Sequence, residues 1–145
     1  MSGALLVLFL NTTTREEGNQ KMTLKRIYVA GPYSADNVLD ILKNIGRGEK
    51  VCAELFAAGY APFCPWHDKS YVTDNPDGNF TVQQFYDFSM AWLEVSDAVY
   101  VLPGYEQSKG TLAEIEQAEK LGIPVYYDIW KLRWDFRTPQ PVRTK

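Results

Sequence analysis

Four short apolar runs punctuate the chain, and three of them stop at glycine or proline. Ile27-Tyr28-Val29-Ala30 runs into Gly31-Pro32. Tyr60–Cys64 runs into Pro65, and Ala98–Leu102, opened by Asp97, runs into Pro103-Gly104; Ile123–Tyr127 is the fourth. Runs this short, closed by breakers, predict buried strands. Between them lie helical patterns. Val38, Ile41, Leu42, Ile45, Val51, Cys52, Leu55 and Phe56 recur at helical spacing over 37–58, with Gly46 and Gly48 in the middle and Gly59 placed as a C-terminal cap. A second helix is predicted from about Thr81 to Val95, with Val82, Phe85, Phe88, Trp92 and Val95 as its apolar face. A third runs from Thr111 to Leu121 and ends at Gly122. The polar stretch 66–80, with Asp74-Asn75-Pro76-Asp77-Gly78, predicts a loop. Strands alternating with helices require crossovers, which make neighbouring strands parallel. The expected architecture is a three-layer α/β domain, with a parallel sheet of four to five strands, helices on both faces and right-handed crossovers.

Composition narrows the function. A chain of 145 residues sets a prior of one domain, and 46% hydrophobic with 23% charged residues suits a folded globule. The net charge of −3 gives no support for a nucleic-acid surface, though it permits a local phosphate pocket. Cys52 and Cys64 lie outside any metal-ligand spacing, and with one histidine in the chain no metal site and no cofactor are expected. Two such cysteines read as buried thiols in a reducing cytoplasm. The apolar run Ala4–Leu10 is too short to span a bilayer, and lacks the flanks of a signal peptide, so no membrane partner is expected. Residues 1–21 read as an N-terminal extension with Met22 as the natural start; Glu16-Glu17-Gly18 would fit a translated ribosome-binding sequence. The alternative is an extra strand or helix packed on the domain. The domain itself is placed at 22–128, and residues 129–145 form an aromatic tail. Trp130, Leu132, Trp134 and Phe136 alternate like a strand, yet Trp130 and Trp134 also fit a helix. These aromatics need cover from the domain or a second subunit, which predicts a homodimer or higher homo-oligomer.

In an open parallel sheet, ligands bind beyond the C-terminal ends of the strands. Three loops there should converge: Gly31-Pro32-Tyr33-Ser34, Pro65-Trp66-His67-Asp68 and Pro103–Gly110. Ser108-Lys109-Gly110-Thr111 leads into a helix N-terminus, where free N–H groups favour an anion. Glu114 is expected in the first helical turn. Thr111-Leu112-Ala113-Glu114 also spells a capping box, under which Glu114 would merely serve the helix start. The glycines match neither a P-loop nor a dinucleotide fingerprint.

Three segments together are recognisable: Ile27–Ser34, Ala91-Trp92-Leu93-Glu94-Val95-Ser96-Asp97-Ala98-Val99, and Leu102-Pro103-Gly104-Tyr105-Glu106-Gln107-Ser108-Lys109-Gly110-Thr111-Leu112-Ala113-Glu114. They resemble the nucleoside 2-deoxyribosyltransferase-like superfamily, which includes deoxynucleoside 5′-monophosphate N-hydrolases, and look closest to its uncharacterised phage-associated branch. The resemblance covers about Lys25 to Tyr127. It implies a flavodoxin- or Rossmann-like sheet and chemistry at an N-glycosidic bond. Glu114 falls on the nucleophile that attacks the sugar C1′, a task suited to a carboxylate facing an oxocarbenium-like transition state. Tyr28 falls on a tyrosine that positions the nucleophile or sugar; its plain alternative is a strand aromatic. Ser108 falls where nucleotide hydrolases set a serine against the 5′-phosphate and transferases set an acid; its plain alternative is an N-cap.

One position departs from the resemblance. An aspartate that helps the base leave is replaced here by Ser89, and Asp87, about 200° around the helix, should point elsewhere. Asp68 and His67 are the candidates to stand in; the plain alternative for His67 is a surface residue of its loop. The expected site therefore has Glu114, Tyr28 and Ser89 at the catalytic position. Gly31, Tyr33 and Ser34 line the sugar side, Trp66 is placed to stack on the base, His67 and Asp68 stand nearby, and Gly104, Ser108, Lys109 and Gly110 hold the phosphate. The expected ligand is a small-molecule nucleotide. The expected reaction is cleavage of a (deoxy)nucleoside 5′-monophosphate to free base. The alternatives are a nucleoside 2-deoxyribosyltransferase and a catalytically silent nucleotide sensor.

Overall fold

The computed structural model describes residues 23–137. The readings of residues 1–22 and of the last eight residues, including the assignment of Met22 as the start, lie outside the described residues. Four strands, β1 (Arg26–Ala30), β2 (Ala61–Phe63), β3 (Ala98–Val101) and β4 (Val125–Tyr126), form one all-parallel sheet in the order β2-β1-β3-β4. β2 lies at one edge, with Pro62 opposite Ile27 of β1. The helices are α1 (Val38–Ala57), α2 (Lys69–Thr73), α3 (Val82–Leu93), α4 (Lys109–Lys120) and α5 (Ile129–Asp135).

Alternation along β1 and β3 divides the core in two. Ile27, Val29, Ala98 and Tyr100 pack with Ile45, Cys52 and Leu55 of α1 and Leu132 of α5. Tyr28, Ala30, Val99 and Val101 point the other way, onto Leu93 of α3 and Ile115 and Ala118 of α4. The chain moves outward from β1 to β2 through α1, then back across β1 to β3 through α3. Two crossovers of one hand running in opposite directions must use opposite faces, and that is the observed layering. The three-layer expectation holds, with four strands among the described residues.

Local signals explain the helix ends. The Asn37 side chain accepts from the Asp40 N–H at 2.9 Å to start α1, and Gly59, at φ 89°, closes it. Thr81 and Gln84 form a reciprocal capping box on α3. Two expectations need correction, and the open reading of the tail resolves. The stretch 66–80 is not loop throughout: Pro65–Asp68 winds into a 3₁₀ turn that leads directly into α2. The third predicted helix starts at Lys109, capped by Ser108, and not at Thr111. The tail is a helix capped by Asp128, and its Leu132 is wholly buried against the sheet. The tail is therefore docked on the domain, through Leu132 with Ile129 and Phe136 packed beside it and Asp135 accepting from the Tyr126 hydroxyl at 3.0 Å. Trp130 and Trp134 stay 71% and 67% exposed, each under an arginine, Arg133 and Arg137 respectively.

Candidate active site

The order in which strands are added reverses at β1, to β2 on one side and β3 on the other, and this opens a crevice at the C-terminal ends of β1 and β3. A cavity of about 620 Å³ lies there. The loop after β1 brings Gly31, Tyr33 and Ser34; the 3₁₀ turn after β2 brings Trp66 and Asp68; the start of α4 brings Ser108, Lys109, Gly110 and Glu114. Ser89 comes from α3.

At the base of the cavity the Tyr28 hydroxyl donates to Glu114 Oε1 at 2.6 Å. Tyr28 is fully buried, its ring stacked on Phe63 at 5.4 Å, so the donor is fixed in position. Glu114 sits in the second turn of α4, too far along to cap it. The capping-box alternative is thereby set aside: Thr111 gives its N–H to Ser108 Oγ at 3.3 Å, and Glu114 is spent on Tyr28. Glu114 is half-buried and lines the cavity. That burial pushes its carboxyl up to about 7, although the Tyr28 hydrogen bond acts to lower it. Tyr28 is raised well above the usual phenol range, first by burial and then by the Glu114 charge, while the neighbouring Ser89 hydroxyl acts to lower it. The phenol therefore stays protonated and remains a donor.

The start of α4 has donors to spare. Ser108 Oγ accepts from both the N–H and the hydroxyl of Thr111, the latter at 2.9 Å, which leaves the serine's own proton free to donate. The Lys109 and Gly110 N–H groups make no hydrogen bond among the described residues, as befits the first turn of a helix. Arg47 of α1 holds the preceding loop by donating to the Pro103 carbonyl at 2.6 Å.

Three expected residues do not take the places foreseen. Trp66 borders the cavity but is only 1% exposed. Its indole N–H donates to the Pro32 carbonyl at 3.3 Å and its ring lies over Gly48, where a Cβ would come within 2.3 Å. It is a core residue, with no free face on which a base could stack. His67 turns away, toward Glu49 at 3.9 Å, and lines a second cavity on the far side of the 3₁₀ turn. Gly104 does not line the cavity; it supplies the left-handed turn, at φ 90°, that starts the third loop. Asp87 points along the helix surface to Gln83, as its angular offset predicts.

The apolar wall was not foreseen. Val72 of α2 and Val82, Phe85 and Tyr86 of α3 also line the cavity. Val82, Phe85 and Ser89 form a stripe at helical spacing that carries the signal, but the pattern alone assigns it to the core. Phe88 and Trp92, on the next stripe, are the ones that pack on Phe63 of the sheet. Among the described residues no three His, Cys, Asp or Glu side chains are grouped to hold a metal ion, and no helix is long and apolar enough to cross a membrane.

Comparison with known proteins adds the following. No curated protein matches the chain. Among solved structures, a 2-deoxyribosyltransferase from the psychrotolerant bacterium Bacillus psychrosaccharolyticus is similar at 23% identity, covering 69% of each chain, with a TM-score of 0.47. A family described as "Domain of unknown function (DUF7768)" matches residues 25–128, most of the chain and the whole of the sheet, and the protein belongs to that family.

Proposed function

We propose that this protein cleaves the N-glycosidic bond of a (deoxy)nucleoside 5′-monophosphate, with Glu114 as nucleophile and the free base as product. The observation that carries this reading is the Glu114 carboxylate, buried at the base of a nucleotide-sized cavity and held by one phenol. Tyr28 fixes one carboxylate oxygen and leaves the other for C1′. A carboxyl near neutrality is ionised in a useful fraction of molecules yet poorly solvated, and both favour attack on a developing oxocarbenium. Ser108, Lys109 and the free N–H groups of α4 suit the 5′-phosphate, which places the sugar between them and Glu114. Gly31, Tyr33 and Ser34 flank the sugar. Val72, Phe85 and Tyr86 offer the base an apolar, partly aromatic wall, a role first assigned to Trp66. The motif resemblance over Lys25–Tyr127 supports the same reaction class.

The test is incubation with a panel of ribo- and deoxyribonucleosides and their 5′-monophosphates, following free base by chromatography. Base release from a monophosphate supports hydrolysis. Exchange that needs an added base moves the protein to the transferase reading. Tight binding with neither, the outcome that a serine at position 89 favours, makes it a sensor and removes the catalytic assignment.

A further inference from the structure

Breaking an N-glycosidic bond leaves an electron pair on the base, and a neutral base departs only if something protonates it. Ser89, at the position where the resemblance leads one to look for an acid, carries a hydroxyl that holds its proton far too tightly for this work. We infer that Asp68 is the general acid that protonates the leaving base; this rests on the N-glycosidic reading above.

Geometry is what singles out Asp68. It lines the same cavity as Glu114, and it is the second carboxyl to do so. It is held on a firm support: the 3₁₀ turn Pro65–Asp68 is anchored by Trp66, buried between Gly48 and the Pro32 carbonyl. Its side chain is not otherwise engaged. Asp68 precedes α2 as its N-cap yet makes no capping bond, and it forms no ion pair and no hydrogen bond to another side chain among the described residues. The adjacent Lys69 instead pairs with Glu49, as does His67. Its charge acts on both Tyr28 and Tyr33, the phenols at the base and the rim of that cavity.

The charged and titratable groups around it are Glu114 and Lys109 from α4, Tyr28 and Tyr33 from β1 and its loop, Tyr86 from α3 and Lys69 from α2; Asp68 also borders the second cavity, with Glu49 of α1, the neighbouring His67 and Tyr71 of α2. Half-burial raises the Asp68 carboxyl, against the lowering influence of the Lys69 N–H and charge. Two carboxyls sharing one cavity favour states in which one is ionised and the other holds a proton; the working state is the one with Glu114 ionised and the proton on Asp68.

The cycle then balances. Glu114 bonds to C1′ as the C1′–N bond breaks; the pair stays on the base nitrogen, and the Asp68 proton passes to the base. Water next attacks C1′, the Glu114–C1′ bond breaks, and the water proton passes to the Asp68 carboxylate. Both carboxyls return to their starting states, and the net change is nucleotide plus water to free base plus sugar phosphate.

The test compares two substrates. One is a cleavable nucleoside monophosphate. The other is a 2-deoxyribose 5-phosphate in which 4-nitrophenol replaces the base and departs as its anion, without protonation. Asp68→Asn should lower kcat/KM for the first by about 10²–10⁴-fold, the usual worth of general acid catalysis, and leave kcat/KM for the second, which reports the bond-breaking step and not the later attack of water, within a few-fold. It should also flatten the alkaline limb of the pH profile, and Asp68→Glu should recover part of the rate. Glu114→Gln should stop both. A urea midpoint unchanged from wild type certifies the Asp68→Asn fold, and an unfolded Asn variant leaves the Asp68→Glu profile to decide. Equal slowing of both substrates, or no slowing, overturns the role of Asp68. Wild type inert toward both overturns the N-glycosidic reading itself.

Discussion

Glu114→Gln should make the protein more stable at pH 8 while abolishing turnover. The Glu114 carboxyl sits at about 7 in the fold, against an ordinary 4.5. Between those values the native state binds more protons than the unfolded chain, so this residue's contribution falls as pH rises from about 4.5 to about 7 and is flat above. The gap corresponds to about 3 kcal/mol, and water at the cavity mouth trims it to about 2 kcal/mol. Glutamine is isosteric and neutral, and its amide oxygen still accepts from the Tyr28 hydroxyl, so the variant escapes that cost and keeps the contact. Urea unfolding at pH 8 should therefore show the variant more stable by about 2 kcal/mol. Most of the advantage should be gone at pH 5, where the native wild-type carboxyl is already protonated. Every other titrating group is common to both proteins and cancels. Equal or lower stability of the variant at pH 8 would refute the account of a poorly solvated carboxylate, and a wild-type rate would refute the nucleophile.

Tyr28→Phe keeps the ring stack on Phe63 but removes the donor that favours the ionised Glu114; the Glu114 carboxyl, at about 7 in the native protein, should titrate at higher pH, followed by the carboxyl's infrared or NMR signal. Monophosphates should bind more tightly than nucleosides in calorimetry, by a margin that shrinks as salt rises and is reduced in Lys109→Ala. Gly48→Ala places a methyl against the Trp66 ring and should cost about 1–3 kcal/mol in chemical denaturation, because neither α1 nor the anchored indole can yield. Trp130→Ser with Trp134→Ser should shift the particle toward monomer in light scattering without unfolding it, since both rings are exposed. Truncation after Asp128 should unfold the domain, since it removes the buried Leu132.

The layers were legible because each strand is marked twice, by its apolar run and by the breaker that ends it. Ile27–Ala30 and Ala98–Leu102 need no tertiary information to be read. The start of α4 was misplaced because Thr111-Leu112-Ala113-Glu114 imitates a capping box, and only the contact with Tyr28, 86 positions away in sequence, decides where the Glu114 carboxylate goes. Trp66 was given to the ligand because nothing local says that Gly48, in a different element, has made room for its ring. The tail was ambiguous since its aromatics satisfy both periodicities; Asp128, accepting from the Trp130 and Lys131 N–H groups, tips it to helix. The apolar wall escaped notice because a stripe facing a cavity and a stripe facing a core have the same composition.

Pro62 has a consequence for assembly. It sits in the middle of β2, the outer strand, where the missing N–H denies a neighbouring strand its ladder; the opposite edge, β4, is two residues long among the described residues. The sheet therefore presents no template for strand addition at either side. Among the described residues, then, a second copy of this chain would meet this one through helices and loops and not by extending the sheet. Contacts of that kind are made by side chains alone, so specificity of association rests on a handful of substitutable surface residues and can change without disturbing the fold or the crevice.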